Sequence, residues 1–436
     1  MTRVGREKTV NVLCAPPAAP NAGMTSVDLA FDSVAKRLGL EHVQYWRLWD
    51  QSEWITPVGG SQPTANGGFL DDSTQITYQN LRGRFDEFLD ADAVVYWGDF
   101  LHMAFYVESN VDILTNKTGL ISDVTEARDH VYRTLLLRGV ADEHLSRVIS
   151  YGTTLSFNTP ADYAGEYGPA LDAFLSRARR VWFRDTYSAW VSQLARASDE
   201  RLSKGTDAAF LWEPEVKHRP AGNLGVFFGR SALPPEALAH LGKALTTQTG
   251  LRPVWLPWGH EPGFWPIDDR RRFRAAWPGL EHRERSPSWA LRARTLSEVG
   301  RGVRLGPTHR SFSELITQLA QCDVVLTDTY HLAINAWRMG IPTIAVLDEP
   351  GTWSVNSGSA GARRDKRAEL YSQIEATGLL VAGRDVRRGG RRTARFLVDY
   401  LADEAALAVT HERISRLTRG GRRMVSETLS DLLDTP

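Results

Sequence analysis

Residues 323–346 read DVVLTDTYHLAINAWRMGIPTIAV, and the reading of this stretch decides the fold. Asp323-Val324-Val325-Leu326-Thr327 is a short, continuous apolar run of the kind a strand covered on both faces requires. His331 to Met339 follows at helical spacing, Gly340 closes that helix, and Pro342-Thr343-Ile344-Ala345-Val346 begins the next strand. Upstream, Ser311 to Ala320 places apolar residues at 312, 315, 316 and 319, with Glu314 in the first turn, where a carboxylate favours a helix N-terminus. Helix, strand, turn, helix, glycine, strand is the grammar of a parallel sheet with helical crossovers, so the fold class is α/β.

The junction Thr327-Asp328-Thr329-Tyr330-His331 leaves no residue to spare between strand and helix. In a doubly wound sheet the strand C-termini open into a crevice, and helix N-termini there present unpaired N–H groups to anions. A histidine in that place can donate to a phosphate or act as acid or base near neutral pH. The residues alone leave a plainer reading equally open, in which Asp328 caps the helix and His331 bonds within it.

Working outward, the N-terminal half repeats the same grammar. Strand 10–14 leads through a Pro/Ala/Asn/Gly loop to a helix over Ser26 to Leu38, and Leu40 to Leu48 holds a second strand. Ser52 to Thr77 reads as a long polar loop. The apolar run 93–97 stops at Gly98-Asp99, 147–152 is a strand ending in glycine, and 181–183 is a strand ending in Arg184-Asp185. Helices are expected over 132–137, 171–178 and 187–202, with a closing strand at 207–211. Pro214 and Pro220 then mark a linker. The second half restarts with a strand running into Gly229-Arg230, a helix over 234–246 and a strand over 252–258. His260 to Pro278 is rich in Trp, Pro and Arg and reads as an exposed or cleft-lining insertion, its Arg270-Arg271-Arg272 run as a solvated face. A basic helix begins near Arg363, 378–381 follows, and helices from Thr393 onwards are separated by Gly420-Gly421. The expected organisation is an N-terminal α/β domain over 1–212, a linker over 213–223, a second α/β domain over 224–385 and C-terminal helices over 386–436.

The bulk properties agree with two cores. The chain has 436 residues, and single cores rarely grow beyond ~250. Its 52 basic residues cancel its 52 acidic ones, so no overall field draws it to nucleic acid or to an anionic bilayer, although a local anion site is compatible with that balance. Two cysteines, Cys14 and Cys322, lie in or beside apolar runs, which argues for buried thiols and a reducing compartment. The apolar stretch at 10–14 is too short for a secretory core segment, and no run of about 18 apolar residues is available to span a membrane. A cytoplasmic protein, able at most to lie on a membrane surface, is the expectation. No carboxylate/histidine cluster has convincing metal-ligand spacing, and no P-loop, G-x-S-x-G or G-x-G-x-x-G signature is present.

The segment 323–346 resembles the polysaccharide pyruvyl transferase family, whose members carry a strand ending in Ser/Thr, an Arg-x-His element, a helix of small and apolar residues, and G-x-P before another strand. Supporting pieces are Arg184-Asp185-Thr186-Tyr187-Ser188, similar to the family's R-D-x-x-S, and Asp207-Ala208-Ala209-Phe210, similar to its D-P-A-F. The resemblance implies two Rossmann-like domains facing a cleft, as in glycosyltransferase-B enzymes, with the acceptor mainly in one domain and the donor in the other. It implies transfer of the enolpyruvyl unit of phosphoenolpyruvate to a sugar hydroxyl as a ketal, without a resident cofactor or metal. The resemblance makes His331 the acid/base residue or phosphate contact and Arg230 a donor contact, while Asp328 and Asp99, by their place at strand ends, are candidates for deprotonating the hydroxyl. Thr329, Lys366 and Arg364 complete the expected donor side, and Asn21, Gly98 and Arg184 the side of the acceptor, a glycan or glycosylated small molecule; a homo-oligomer is compatible with this reading.

One position departs from the family pattern. Where the family has arginine two places before the histidine, this chain has Thr329. A neutral hydroxyl in place of a charge-assisted fork would weaken pairing to a trianionic donor by ~2 to 5 kcal/mol unless Arg230 or the Arg363/Arg364/Lys366 group compensates. The alternatives are a glycosyltransferase with a nucleotide-sugar donor, its base held by the Trp/Pro segment 255–266, and a catalytically silent carbohydrate-binding relative.

Overall fold

The computed structural model describes residues 8–15, 22–49, 61–63, 69–71, 75–99, 101–194, 199–229, 231–256, 258, 267–280, 312–348, 365–388 and 390–434. They form two compact units. The first is built from described residues of 1–18, 26–212 and 417–436, the second from those of 19–25 and 213–416.

In chain order the first half contains β1 (Val10–Cys14), α1 (Ala22–Leu38), β2 (Val43–Arg47), β3 (Ser61–Pro63), β4 (Phe69–Asp71), β5 (Thr77–Asn80), α2 (Phe85–Leu89) and β6 (Ala93–Trp97). It continues with α3 (Ala104–Asp112), α4 (Val124–Leu136), α5 (Asp142–Leu145), β7 (Val148–Thr153), α6 (Tyr167–Arg177), β8 (Arg180–Phe183), α7 (Thr186–Leu194) and β9 (Leu202–Lys204). The sheet order is β3-β4-β5-β2-β1-β6-β7-β8-β9, parallel throughout except where β3 and β4 add an antiparallel edge. β1 and β6 are buried along their whole lengths, as their unbroken apolar sequences require of strands covered on both faces. They are also where the order reverses, β2 lying on one side of β1 and β6 on the other, which makes their C-terminal ends the switch point of a Rossmann-like sheet. A buried ion pair fixes α1 over this sheet: Arg47 Nη2 donates to Asp28 Oδ2 at 3.1 Å, and Tyr78 Oη donates to the same oxygen at 2.7 Å.

The second half contains β10 (Asn223–Phe227), α8 (Pro235–Thr249), β11 (Arg252–Trp255), α9 (Ile267–Ala276), α10 (Phe312–Leu319), β12 (Cys322–Thr327) and α11 (Tyr330–Arg338). β13 (Thr343–Val346), α12 (Lys366–Gln373), β14 (Leu380–Val381), α13 (Gly383–Arg388), α14 (Gly390–Leu401) and α15 (Glu404–Asp434) complete it. Its sheet has the order β11-β10-β12-β13-β14 and is parallel at every pairing. Both units are thus Rossmann-like α/β layers, the fold class that the 323–346 grammar implies.

Four expectations are corrected. The loop expected over 52–77 contains β3 and β4, three-residue strands too short to show alternation. The strand expected at 207–211 is instead a single tight helical turn, because Asp207 Oδ1 accepts from Ala209 N at 2.9 Å and bends the backbone; the closing strand is β9, at the end of what reads as a helix. The insertion over 260–278 includes a packed element: α9 buries Phe273, and Trp277 beyond its end lies so close to Gly242 that a Cβ there would sit 2.1 Å from the indole. Arg271 and Arg272 of the same helix are exposed, as a solvated face requires. Finally, Gly420-Gly421 does not separate helices, since α15 runs unbroken through it. A Cβ at Gly421 would lie 2.3 Å from Tyr151 Oη, so glycine is demanded there by packing rather than by a turn. Around it Thr418 Oγ1 donates to Phe210 O and Arg422 Nη2 to Leu211 O, at 3.2 and 2.8 Å, which ties the last turns of α15 into the first unit.

Candidate active site

In the second unit the decisive junction stands at the C-terminal end of β12. Thr329 is the N-cap residue of α11, but its side chain makes no capping bond; its Oγ1 donates to Asp328 Oδ1 at 3.1 Å. Asp328 is fully buried. Its Oδ2 accepts from Gly229 N at 3.1 Å and Ser231 N at 2.6 Å, fastening the segment that follows β10 to the end of β12. A carboxylate holding two backbone N–H groups and a hydroxyl is stabilised as an anion, which suits it to positioning. His331 follows in the first turn of α11, 6% exposed, with its ring edge-on to Tyr330 at 5.2 Å and its carbonyl accepting from Asn335 Nδ2 at 2.7 Å. Gly23, which groups with this unit, packs against it: a Cβ at Gly23 would lie 2.6 Å from His331 Cβ and 2.7 Å from Nδ1. The imidazole is therefore held between α11 and a bare stretch of backbone.

A residue that local sequence does not flag organises the surroundings. Arg367 is wholly buried and donates from Nη1 to the carbonyls of Asp328, at 3.0 Å, and Val346, and from Nη2 to Asp348 Oδ2 at 2.8 Å and Asp365 Oδ2 at 2.5 Å. Asp348 in turn accepts from Ser231 Oγ and Ala232 N, both at 2.9 Å. The guanidinium thus links the ends of β12 and β13 and the start of α12 directly, and the segment after β10 through Asp348. Burial alone would lower the Arg367 pKa, but the carboxylates of Asp365, Asp348 and Asp328 outweigh it and hold the group above its ordinary range. Its neighbour Lys366 is buried too and lies with Nζ 5.1 Å from the centre of the Tyr330 ring, which puts an ammonium beside the start of α11.

In the first unit Gly98 follows β6 with φ +101°, where a Cβ would meet Val27 Cγ1 at 3.0 Å. Asp99 next to it is buried and accepts from Arg184 Nη1, which also reaches Asp207 Oδ2 at 3.4 Å. Two buried carboxylates therefore share one guanidinium, and Asp99 Oδ1 has no hydrogen-bond partner among the described residues. That surplus acceptor is expensive to keep buried unless a donor from a ligand meets it. The R-D-x-x-S segment divides its labour. Arg184 serves the acids, while Asp185 accepts from Ser188 N at 2.7 Å and from Thr154 Oγ1 at 2.6 Å, starting α7 and securing the segment after β7. Three residues beyond Asp99, His102 is buried with its Nδ1 3.1 Å from Thr153 Oγ1 and its ring tilted against Phe174 at 4.3 Å. Burial depresses its pKa to about 3, so the ring is neutral at ordinary pH.

Of the nominated residues, the structure brings Asp328, Thr329, His331 and Lys366 to one sheet end in the second unit, and Gly98, Asp99 and Arg184 to one sheet end in the first. Arg230, Arg364 and Asn21 lie outside the described residues. Asp207, His102, Arg367 and Asp348 join these groups unannounced. The signal available for Asp207 is its D-x-A-F segment, whereas His102, Arg367 and Asp348 carry none.

Residues 66–349, about two thirds of the chain, match the polysaccharide pyruvyl transferase family. The chain belongs to that family. No curated protein matches it. In this member of the polysaccharide pyruvyl transferase family the arginine position of the family motif is the buried, hydroxyl-bonded Thr329 described above. Its fold is similar to that of a protein of Listeria monocytogenes described as a UDP-N-acetylglucosamine 2-epimerase, at 10% identity and TM-score 0.53, with 99% of this chain and 98% of that one covered. It is similar also to the UDP-GlcNAc 2-epimerase of Neisseria meningitidis solved with UDP-GlcNAc, at 9% identity and TM-score 0.51, with 97% and 100% covered. These likenesses establish the glycosyltransferase-B type of architecture for the family member.

Proposed function

We propose that the protein is a carbohydrate-modifying transferase whose donor carries phosphate bound by the second unit, and that this donor is a nucleotide sugar. The observation that carries the choice is the chemistry at Thr329. Its hydroxyl is engaged with Asp328, and the neighbouring guanidinium of Arg367 is engaged with two carboxylates and two carbonyls. The described cation beside the start of α11 is Lys366. One ammonium with the N–H groups of a helix start suits a diphosphate, whose charge is spread over two groups, better than a compact trianion. The fold shared with the UDP-GlcNAc-bound enzyme of Neisseria meningitidis supports the same donor class.

In this reading His331 donates a proton or hydrogen bond to the departing phosphate oxygen, and Gly23 keeps the ring in place. Within the first unit, Asp99 is the group suited to accept a hydroxyl proton, since its Oδ1 has no partner among the described residues and Arg184 holds the carboxylate in position. Asp328 and Arg367 keep the surrounding segments in place.

The family match favours a second reading, ketal formation from phosphoenolpyruvate with inorganic phosphate released. Calorimetry with phosphoenolpyruvate and a panel of uridine, guanosine and thymidine diphosphate sugars separates the two. Binding of one nucleotide sugar, with phosphoenolpyruvate silent, is the expected result. Binding of phosphoenolpyruvate with acceptor-dependent phosphate release would replace the first reading by the second. In either, His331→Ala is expected to abolish turnover while the thermal transition stays nearly in place; retained activity with a lowered transition would assign the histidine to packing.

A further inference from the structure

The second unit carries a surface that the transfer chemistry leaves unused. α13 and α14 expose six arginines: Arg384, Arg387 and Arg388 on the first, Arg391, Arg392 and Arg395 on the second. Between Gly383 and Tyr400 they are opposed only by Asp385 and Asp399, a local excess of four positive charges on a chain whose 52 basic and 52 acidic residues otherwise cancel. Among the described residues, the side chains of Arg384, Arg388, Arg391, Arg392 and Arg395 have no ion-pair or hydrogen-bond partner. Like charges clustered this way repel one another, so the arrangement is relieved when an anionic surface meets it.

The packing explains why the arginines of α14 face outward together. Ala394 and Leu397 bury one side of α14, and Gly390 at its start lies so close to α8 that a Cβ would come within 3.0 Å of Leu241 Cα. Positions 391, 392, 395, 396 and 399 fall on the opposite side of the helix. Among them Phe396 is 58% exposed, an aromatic ring left in water between arginines.

We propose that the outer face of α13 and α14 docks on an anionic lipid bilayer, the arginines pairing with head-group phosphates and Phe396 entering the head-group/acyl boundary. Charge complementarity selects an anionic partner, and the lone exposed ring selects a bilayer, because a nucleic-acid platform presents several stacking rings in series. The contact is peripheral, since no helix of the described residues is long and apolar enough to cross a membrane.

The test is cosedimentation of the full chain with vesicles of phosphatidylglycerol and phosphatidylcholine, against vesicles of phosphatidylcholine alone, at low and high salt. Binding to the anionic vesicles only, weakened by salt, is expected. Each arginine near the surface contributes about fivefold in partitioning, so joint replacement Arg391→Gln, Arg392→Gln and Arg395→Gln is expected to reduce it on the order of a hundredfold. A second variant, Arg384→Gln with Arg388→Gln, is expected to weaken it about twenty-five-fold on the same scale. Phe396→Ser is expected to weaken binding without changing its salt dependence. Equal binding to both vesicle types, undiminished binding by folded arginine variants, or capture by duplex DNA at a salt where anionic vesicles fail would overturn the proposal.

Discussion

Replacing His102 tests whether the interior between Thr153 and Phe174 is as dry as its geometry indicates. The ring sits 1% exposed, tilted against Phe174 and bonded through Nδ1 to Thr153, and burial holds its pKa at about 3 against 6.5 in the unfolded chain. Because the folded pKa is depressed, the unfolded chain takes up a proton below pH 6.5 and the folded one does not. Stability attributable to this residue is therefore intact above that pH and lost progressively on acidification toward pH 3. Each pH unit below 6.5 costs about 1.4 kcal/mol, so at about pH 5 the deficit is about 2 kcal/mol. His102→Asn keeps a polar atom near Thr153 and removes the titration. Urea unfolding of both proteins at about pH 7.5 and about pH 5 isolates the effect, since a pH-independent packing loss cancels in the double difference, as do the other histidines. The wild type is expected to lose about 2 kcal/mol more than the variant on acidification. Equal losses would mean that water reaches the ring and would refute the buried, neutral imidazole.

Gly23→Ala is expected to lower kcat/KM at least about tenfold, because a methyl within 2.6 Å of His331 Cβ forces the imidazole to move; steady-state kinetics with a circular dichroism melt distinguishes displacement from unfolding. Arg367→Met leaves Asp348 and Asp365 without their cation and is expected to destabilise the protein by about 3 to 5 kcal/mol in urea unfolding, well beyond the effect of Lys366→Met. Gly421→Ala is expected to lower stability by about 1 to 3 kcal/mol through overlap with Tyr151 Oη, and Tyr151→Phe in the same chain to recover part of that loss. A fully additive double variant would disprove the contact.

What could be read from the residues follows the range of the forces involved. β12, α11 and β13 were legible because an apolar run, a helical spacing and Gly340 at φ +78° are local signals that agree with one another. The placing of His331 at a strand-to-helix junction follows from the same signals. Arg367 was not legible, since its partners Asp328 and Asp348 lie 39 and 19 positions away and nothing in the neighbouring residues announces them. Gly420-Gly421 misled for the opposite reason: glycine suggests a turn locally, whereas contact with Tyr151, 270 positions earlier, fixes what it does here. Asp207 looked like part of a strand because its apolar followers carry no mark of the bend that its own carboxylate imposes.

The bridging guanidinium of Arg367 makes the strand-end junction redundant. Because one interior cation fastens the segments at the ends of β12 and β13 and, through Asp348, the segment after β10, loss of the single bond from Thr329 Oγ1 to Asp328 leaves these other ties in place. The segment after β10 is thus secured twice, once by the carboxylate of Asp328 and once by that of Asp348, so no one bond there is indispensable to the frame.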